Sequence, residues 1–88
     1  MRLAWADNAW EDYLYWRQTD QKNDHKIQKR INTLIKEIQG QPFTGIGDPE
    51  PLKHHWSGYW SRRIDREHRL VYRVENEMII VVQCRYHY

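Results

Sequence analysis

The sequence predicts an α+β domain, with two N-terminal helices packed on one face of a mainly antiparallel β-sheet in the order β-α-α-β-β-β(-β). Three observations predict it. An apolar stripe of helical period runs through residues 27–38, and short aromatic and β-branched runs separated by hairpin-length gaps fill residues 59–84. Between them, Gly40, Pro42, Gly45, Gly47, Pro49 and Pro51 punctuate the chain.

Arg2–Trp5 reads as a short extended opening with Leu3 and Trp5 on one side. Asp7 is expected to cap a first helix over residues 7–19, with Glu11 and Asp12 near its positive end and Ala9, Trp10, Tyr13 and Leu14 at helical spacing. Residues 20–24 are polar and form a short connection. From Asp24, the residues Ile27, Ile31, Leu34, Ile35 and Ile38 define a second amphipathic helix, which Gly40 is expected to end as a left-handed cap before Pro42 forbids continuation. Its lysines suit a solvated outer face.

The stretch that follows is a loop of defined shape, for which Phe43 and Ile46 offer apolar anchors. Glu50 lies between two prolines, which confine its backbone to extended or turn conformations and so position its carboxylate. Strands are then expected at Tyr59–Ile64, Arg69–Val74 and Met78–Cys84.

Eighty-eight residues make one small domain spanning 1–88, whose core must be filled efficiently, and five Trp and six Tyr supply large apolar area for that. No run of about 18 apolar residues and no secretory signal pattern is present, so no membrane contact and a cytoplasmic setting are expected. Cys84 is the only cysteine, which excludes an intramolecular disulfide and a cysteine zinc cluster. In its run of Ile and Val it reads as a buried core residue rather than a thiol nucleophile.

The formal net charge is only +2, but Lys53–Arg73 holds six Lys or Arg against Asp65 and Glu67. Cations interleaved with Trp56, Tyr59, Trp60 and Tyr72 suit a polyanion with stackable bases, as RNA is. A solvated sheet face with ordinary surface arginines has the same composition.

The runs Pro49–His54 (PEPLKH), Ser57–Ile64 (SGYWSRRI), His68–Tyr72 (HRLVY) and Cys84–Tyr88 (CRYHY), with Trp10, Tyr13, Leu14, Tyr15 and Trp16 upstream, resemble the YoeB/Txe toxins of the RelE superfamily. The resemblance covers nearly the whole chain. It departs at residues 20–26, where the connection is longer, and at Trp56, where leucine is usual.

The resemblance implies a RelE-like microbial ribonuclease-type fold and the toxin of a type II toxin-antitoxin system, which cleaves mRNA in the A site of the 30S ribosome. It implies no metal or other cofactor, and a YefM-like antitoxin as partner. By position it implies Glu50 as general base, Arg69 as stabiliser of the phosphate and transition state, and His87 as general acid, with Lys53, Arg62, Arg63 and Tyr88 on the substrate. Trp10 and Trp16 offer surface for a homodimer or antitoxin contact, although the core needs them too.

Those roles suit the residue types. RNA brings its own nucleophile, the 2′-OH, so cleavage needs a base, cations for the charge that builds on phosphorus, and an acid for the leaving oxygen. Taken singly, Glu50 reads as a loop salt bridge, His87 as an idle terminal histidine and Arg69 as a partner of Glu67. Two further functions compete: a non-catalytic RNA or ribosome binder with the same basic, aromatic face, and a gyrase-poisoning toxin of the same fold, a related branch that, as the resemblance implies, lacks the Glu, Arg and His set present here.

Sheet register tests the reading. A two-residue turn at Asn76–Glu77 pairs Arg69 with Cys84 and puts His87 on the opposite face. Bringing Arg69 and His87 to one face requires a longer loop, a bulge, or a terminal segment that leaves the strand.

Overall fold

A computed structural model describes residues 1–88. The chain runs β1 (Arg2–Trp5), α1 (Asp7–Thr19), α2 (Lys26–Gly40), β2 (Glu50–Pro51), β3 (Trp60–Arg63), β4 (Arg69–Glu75) and β5 (Met78–Gln83). The sheet order is β1-β5-β4-β3-β2, with β1 parallel to β5 and every other pair antiparallel. This is the expected α+β architecture.

The core lies between the helices and one sheet face. Ile31, Leu34, Ile35 and Ile38 bury the apolar stripe of α2 as expected, while Ile27 packs at its edge. From the sheet come Leu70, Tyr72, Ile79 and Val81, and α1 contributes Ala9 and Trp16. Trp16 is buried, not a contact surface; its indole N–H donates to the Cys84 carbonyl at 2.8 Å. Trp10 remains 44% exposed, stacked on Tyr13.

Both helices begin differently from expectation. The Ala6 N–H donates to Val81 O (2.9 Å), which extends the pairing of β1 and leaves Ala6, not Asp7, in the cap position with φ −67° and ψ 156°. Asp24 and His25 both take left-handed conformations (φ 56° and 57°), so α2 starts at Lys26. Its first N–H groups are satisfied by Asp20, whose Oδ2 accepts from Ile27 N (2.7 Å) and Gln28 N (3.1 Å). An acid six residues before the helix does the capping.

The end of α2 is a second correction. Gly40 is its last helical residue and has no positive φ; Gln41 follows at φ −141° and ψ 85° with its N–H on Glu37 O. The loop is gathered by charge rather than by apolar anchors. Phe43 rests on Trp60 but is half exposed, and Ile46 is held through its backbone: Ile46 N donates to Glu37 Oε1 (2.6 Å). Gly45, at φ +120°, passes so close that a β-carbon there would stand 1.7 Å from Glu37 Oε1.

Candidate active site

Directly opposed residues in a sheet project to the same face. Glu50 opposes Ser61, Ser61 opposes Val71 and Val71 opposes Gln83, which makes one row across four strands; Arg63 opposes Arg69 in the row beside it. Leu70 and Tyr72 face the helices, so Glu50, Arg63 and Arg69 share the open face. With strands ~4.8 Å apart and ~3.3 Å per residue along them, the backbones of Glu50 and Arg69 stand on the order of 12 Å apart, a gap that two long side chains can bridge to one phosphate.

Arg62 is not on that face. It opposes Leu70, is fully buried, and spends all five guanidinium N–H donors inside the protein. Nε donates to Tyr72 Oη (3.2 Å), Nη1 to Glu37 Oε1 (2.8 Å) and Ile46 O (3.2 Å), and Nη2 to Gln41 O (2.6 Å) and Thr44 O (2.9 Å). The expectation that Arg62 binds substrate is therefore overturned. Its work is to fold the loop that delivers Glu50. Arg63, its neighbour, is exposed on the open face with only a loose contact to Asp48 (3.9 Å).

Glu50 and Lys53 line an open cleft of about 290 Å³ together with Trp56 and Tyr88. The cleft wall is held by backbone bonds: Leu52 N donates to Tyr59 O (2.9 Å), and the turn His54–Trp56 closes through Trp56 N on Lys53 O (3.1 Å). Glu50 is exposed in its two-residue strand, so its carboxylate meets solvent and whatever fills the cleft. His87 is not among the lining residues, but its ring lies 4.6 Å from that of Tyr88, which is.

How the chain end reaches this cleft resolves the register question. Asn76 and Glu77, both at positive φ, make the two-residue turn. Pairing runs regularly from Glu75–Met78 to Tyr72–Val81, then shifts by one so that Val71 opposes Gln83. There β5 ends. Arg69 N donates to Tyr86 O (2.8 Å) and Tyr86 N to His68 Nδ1 (2.7 Å), with Tyr86 at φ +68°. Both a bulge and a departure from the strand occur, the irregularities that a shared site for Arg69 and His87 requires.

The segment is also clasped from α1. Cys84 N donates to Asp12 Oδ2 (3.1 Å), and Arg85 lies over Tyr15 at 3.5 Å and Tyr86 at 4.5 Å from the ring centroids. Asp12, Tyr15 and His68 were not singled out from sequence as parts of the site. Only the adjacency of His68 to Arg69 in the HRLVY run could have flagged one of them.

Arg69 is not paired with Glu67. Its Nη1 donates to the carbonyls of Asp65 (2.9 Å) and His68 (3.1 Å), which orient the guanidinium without neutralising it. Glu67 instead stands 4.0 Å from His68 Nε2. On the same face, Arg73 donates to Tyr59 Oη (2.8 Å) and Glu75 (2.9 Å), and these bonds, Tyr59 first, hold it more firmly as a cation.

Burial pushes the Cys84 thiol far above its ordinary pKa, and the charge of Asp12 adds to the effect. A thiol so disfavoured as thiolate is no nucleophile, in accord with its expected place in the core. Burial likewise raises the Asp12 carboxyl above its ordinary value, against the opposing pull of the Cys84 N–H and Arg85. No group of three or more His, Cys, Asp or Glu side chains forms a metal-binding cluster, and no helix is long and apolar enough to cross a membrane.

Comparison with known proteins agrees with this architecture. The family described as YoeB-like toxin of bacterial type II toxin-antitoxin systems matches residues 5–88. Toxin YoeB of Escherichia coli K12 is 53% identical over 88 residues, all of both chains. A YoeB/ParE toxin from Agrobacterium tumefaciens superposes over all of both chains with a TM-score of 0.92 at 47% identity. Staphylococcus aureus YoeB, solved in a heterotetrameric complex with YefM, covers the whole chain and 98% of its own at TM-score 0.87 and 44% identity. The same toxin solved as a dimer gives TM-score 0.88. With a family match over residues 5–88 and relatives above half identity along the full length, the chain belongs to the YoeB-like toxins of bacterial type II toxin-antitoxin systems.

Proposed function

We propose that this toxin is a ribosome-dependent mRNA endonuclease that cuts the message in the ribosomal A site and thereby stops translation. The observation that carries the reading is the row geometry: Glu50 and Arg69 share the open sheet face, and the cleft beside Glu50 is lined by Tyr88, against which His87 lies. Glu50 takes the proton of the 2′-OH as that oxygen attacks the adjacent phosphorus. Arg69 and Lys53 carry the charge that builds on the phosphoryl oxygens, and His87 protonates the 5′ oxygen as its bond to phosphorus breaks. The products are a 2′,3′-cyclic phosphate and a 5′-hydroxyl. Each step uses groups of this chain and of RNA, with no cofactor called on.

Arg63 and Tyr88 complete the substrate surface, one as an exposed cation and the other as a ring on which a base stacks. Since the Staphylococcus aureus relative forms a complex with YefM and a dimer, a YefM-like antitoxin and a second copy of the chain are the proposed partners, in the cytoplasm where ribosomes are.

Primer extension on a defined message with translating ribosomes tests the reading. Ribosome-dependent cuts at A-site codons by wild type, absent with His87→Ala, support it. Intact message with translation inhibited equally by both proteins would leave a ribosome binder instead.

A further inference from the structure

The residues that carry Tyr88 to the cleft, with His87 beside it, lie beyond the last paired residue of β5, so something other than the sheet ladder must fix them. Tyr86 sits at φ +68°, a conformation that a residue with a β-carbon keeps only when its surroundings hold it there. Two consecutive residues do so. Arg69 N binds the Tyr86 carbonyl at 2.8 Å, and the Tyr86 N–H is taken at 2.7 Å by the imidazole Nδ1 of His68.

The imidazole is itself fixed. Its side chain is 14% exposed, its ring packs edge-to-face with that of Trp16 with centroids 4.8 Å apart, and the His68 backbone N–H is tied to Asp65 Oδ1 at 2.8 Å. Because Nδ1 accepts, the neutral ring carries its proton on Nε2.

We propose that His68 is a positioning residue for cleavage: its Nδ1 lone pair holds the Tyr86 turn and so sets where His87 and Tyr88 stand relative to Glu50 and Arg69. The proposal rests on the nuclease reading above for the role of His87, but the hydrogen-bonded turn is observable without it. What matters is an acceptor at that point, not an imidazole that transfers protons and not mere bulk against Trp16. Asparagine keeps an acceptor where Nδ1 stands; leucine keeps the bulk and loses it.

The test pairs amide hydrogen exchange at Tyr86 with single-turnover cleavage of ribosome-bound message, for wild type, His68→Asn and His68→Leu, with thermal unfolding followed alongside. In His68→Asn, both the Tyr86 exchange rate and the cleavage rate stay within about threefold of wild type, whereas His68→Leu speeds Tyr86 exchange and slows cleavage by about tenfold each, the worth of one net hydrogen bond. Amides of the core strands keep their protection in both variants.

Unchanged Tyr86 exchange in a folded His68→Leu protein would overturn the proposal and make His68 a packing residue. Lost protection with unchanged cleavage would overturn the link to His87. Should His68→Leu fail to fold, the wild-type ring nitrogen shifts decide, since a proton on Nδ1 is incompatible with the bond proposed. A wild type that cleaves nothing while Tyr86 exchange still answers to the acceptor would overturn the nuclease reading, leaving the turn itself in place.

Discussion

Arg62 is where the structure makes its sharpest quantitative demand. Replacing it with methionine keeps much of the apolar stem but strips five hydrogen bonds at once, leaving Glu37 without its cation and the carbonyls of Gln41, Thr44 and Ile46 without a donor. Breaking a fully buried ion pair from one side costs about 3 to 5 kcal/mol, and the 30% exposure of the Glu37 side chain puts this pair at or below the low end of that range, before the carbonyls left without donors are counted. A domain of 88 residues has a total stability on the order of 4 to 13 kcal/mol. Arg62→Met should therefore leave the protein marginally folded at best.

Arg62→Lys is the discriminating variant. Lysine retains the charge but has three donors where five bonds exist, so at least two are lost, at about 1 kcal/mol each. Urea unfolding followed by tryptophan fluorescence should show a loss of roughly 2 to 3 kcal/mol with an unchanged m-value. An Arg62→Lys protein within about 0.5 kcal/mol of wild type would refute the argument that the guanidinium holds the loop. Were it also defective in RNA binding, the residue would belong to the substrate after all.

Three further outcomes follow from the same geometry. Cys84 should resist a soluble thiol reagent in the native protein and react once urea unfolds it; rapid modification under native conditions would contradict its burial beside Asp12. Asp12 has its folded pKa raised by burial, so the native protein gains stability as pH falls from above that pKa toward the unfolded value of 3.8. Asp12→Asn, which keeps an acceptor for the Cys84 N–H, should be more stable than wild type at pH 7 by a margin that shrinks on acidification; a margin that grows would show that the charge stabilises. Arg69→Lys should keep the fold while slowing cleavage by about tenfold or more, because an ammonium cannot offer a phosphate two parallel donors; equal single-turnover rates would remove the bidentate role.

The parts of the fold set by periodicity were legible. The stripe from Ile27 to Ile38 specified α2 and its buried face, and the runs around Tyr72 and Val81 specified a hairpin whose two-residue turn falls at Asn76–Glu77. What the periodicity could also have said is that Arg62 and Arg63, being adjacent in a strand, point to opposite faces. With Leu70 and Tyr72 inward, only Arg63 lies on the open face.

Capping was less legible, because it depends on groups distant in sequence or fixed by tertiary contacts. Asp20 reaches Ile27 and Gln28 across a turn with two left-handed residues, and the helix after Gly40 ends in carbonyls gathered by Arg62 from β3. The candidate site divides the same way. Glu50 was marked by its flanking prolines, whereas the grip of Asp12 and His68 on residues 84–86 exists only once α1 and the start of β4 meet the chain end.

The most direct test of the central claim, that RNA is cut through its own 2′-OH by Glu50, Arg69 and His87, is single-turnover cleavage of a message with one 2′-deoxynucleotide at the mapped scissile position on translating ribosomes. The account predicts no product from the deoxy message, and a 2′,3′-cyclic phosphate with a 5′-hydroxyl from the all-ribose one. Cleavage of the deoxy message at the all-ribose rate would contradict it.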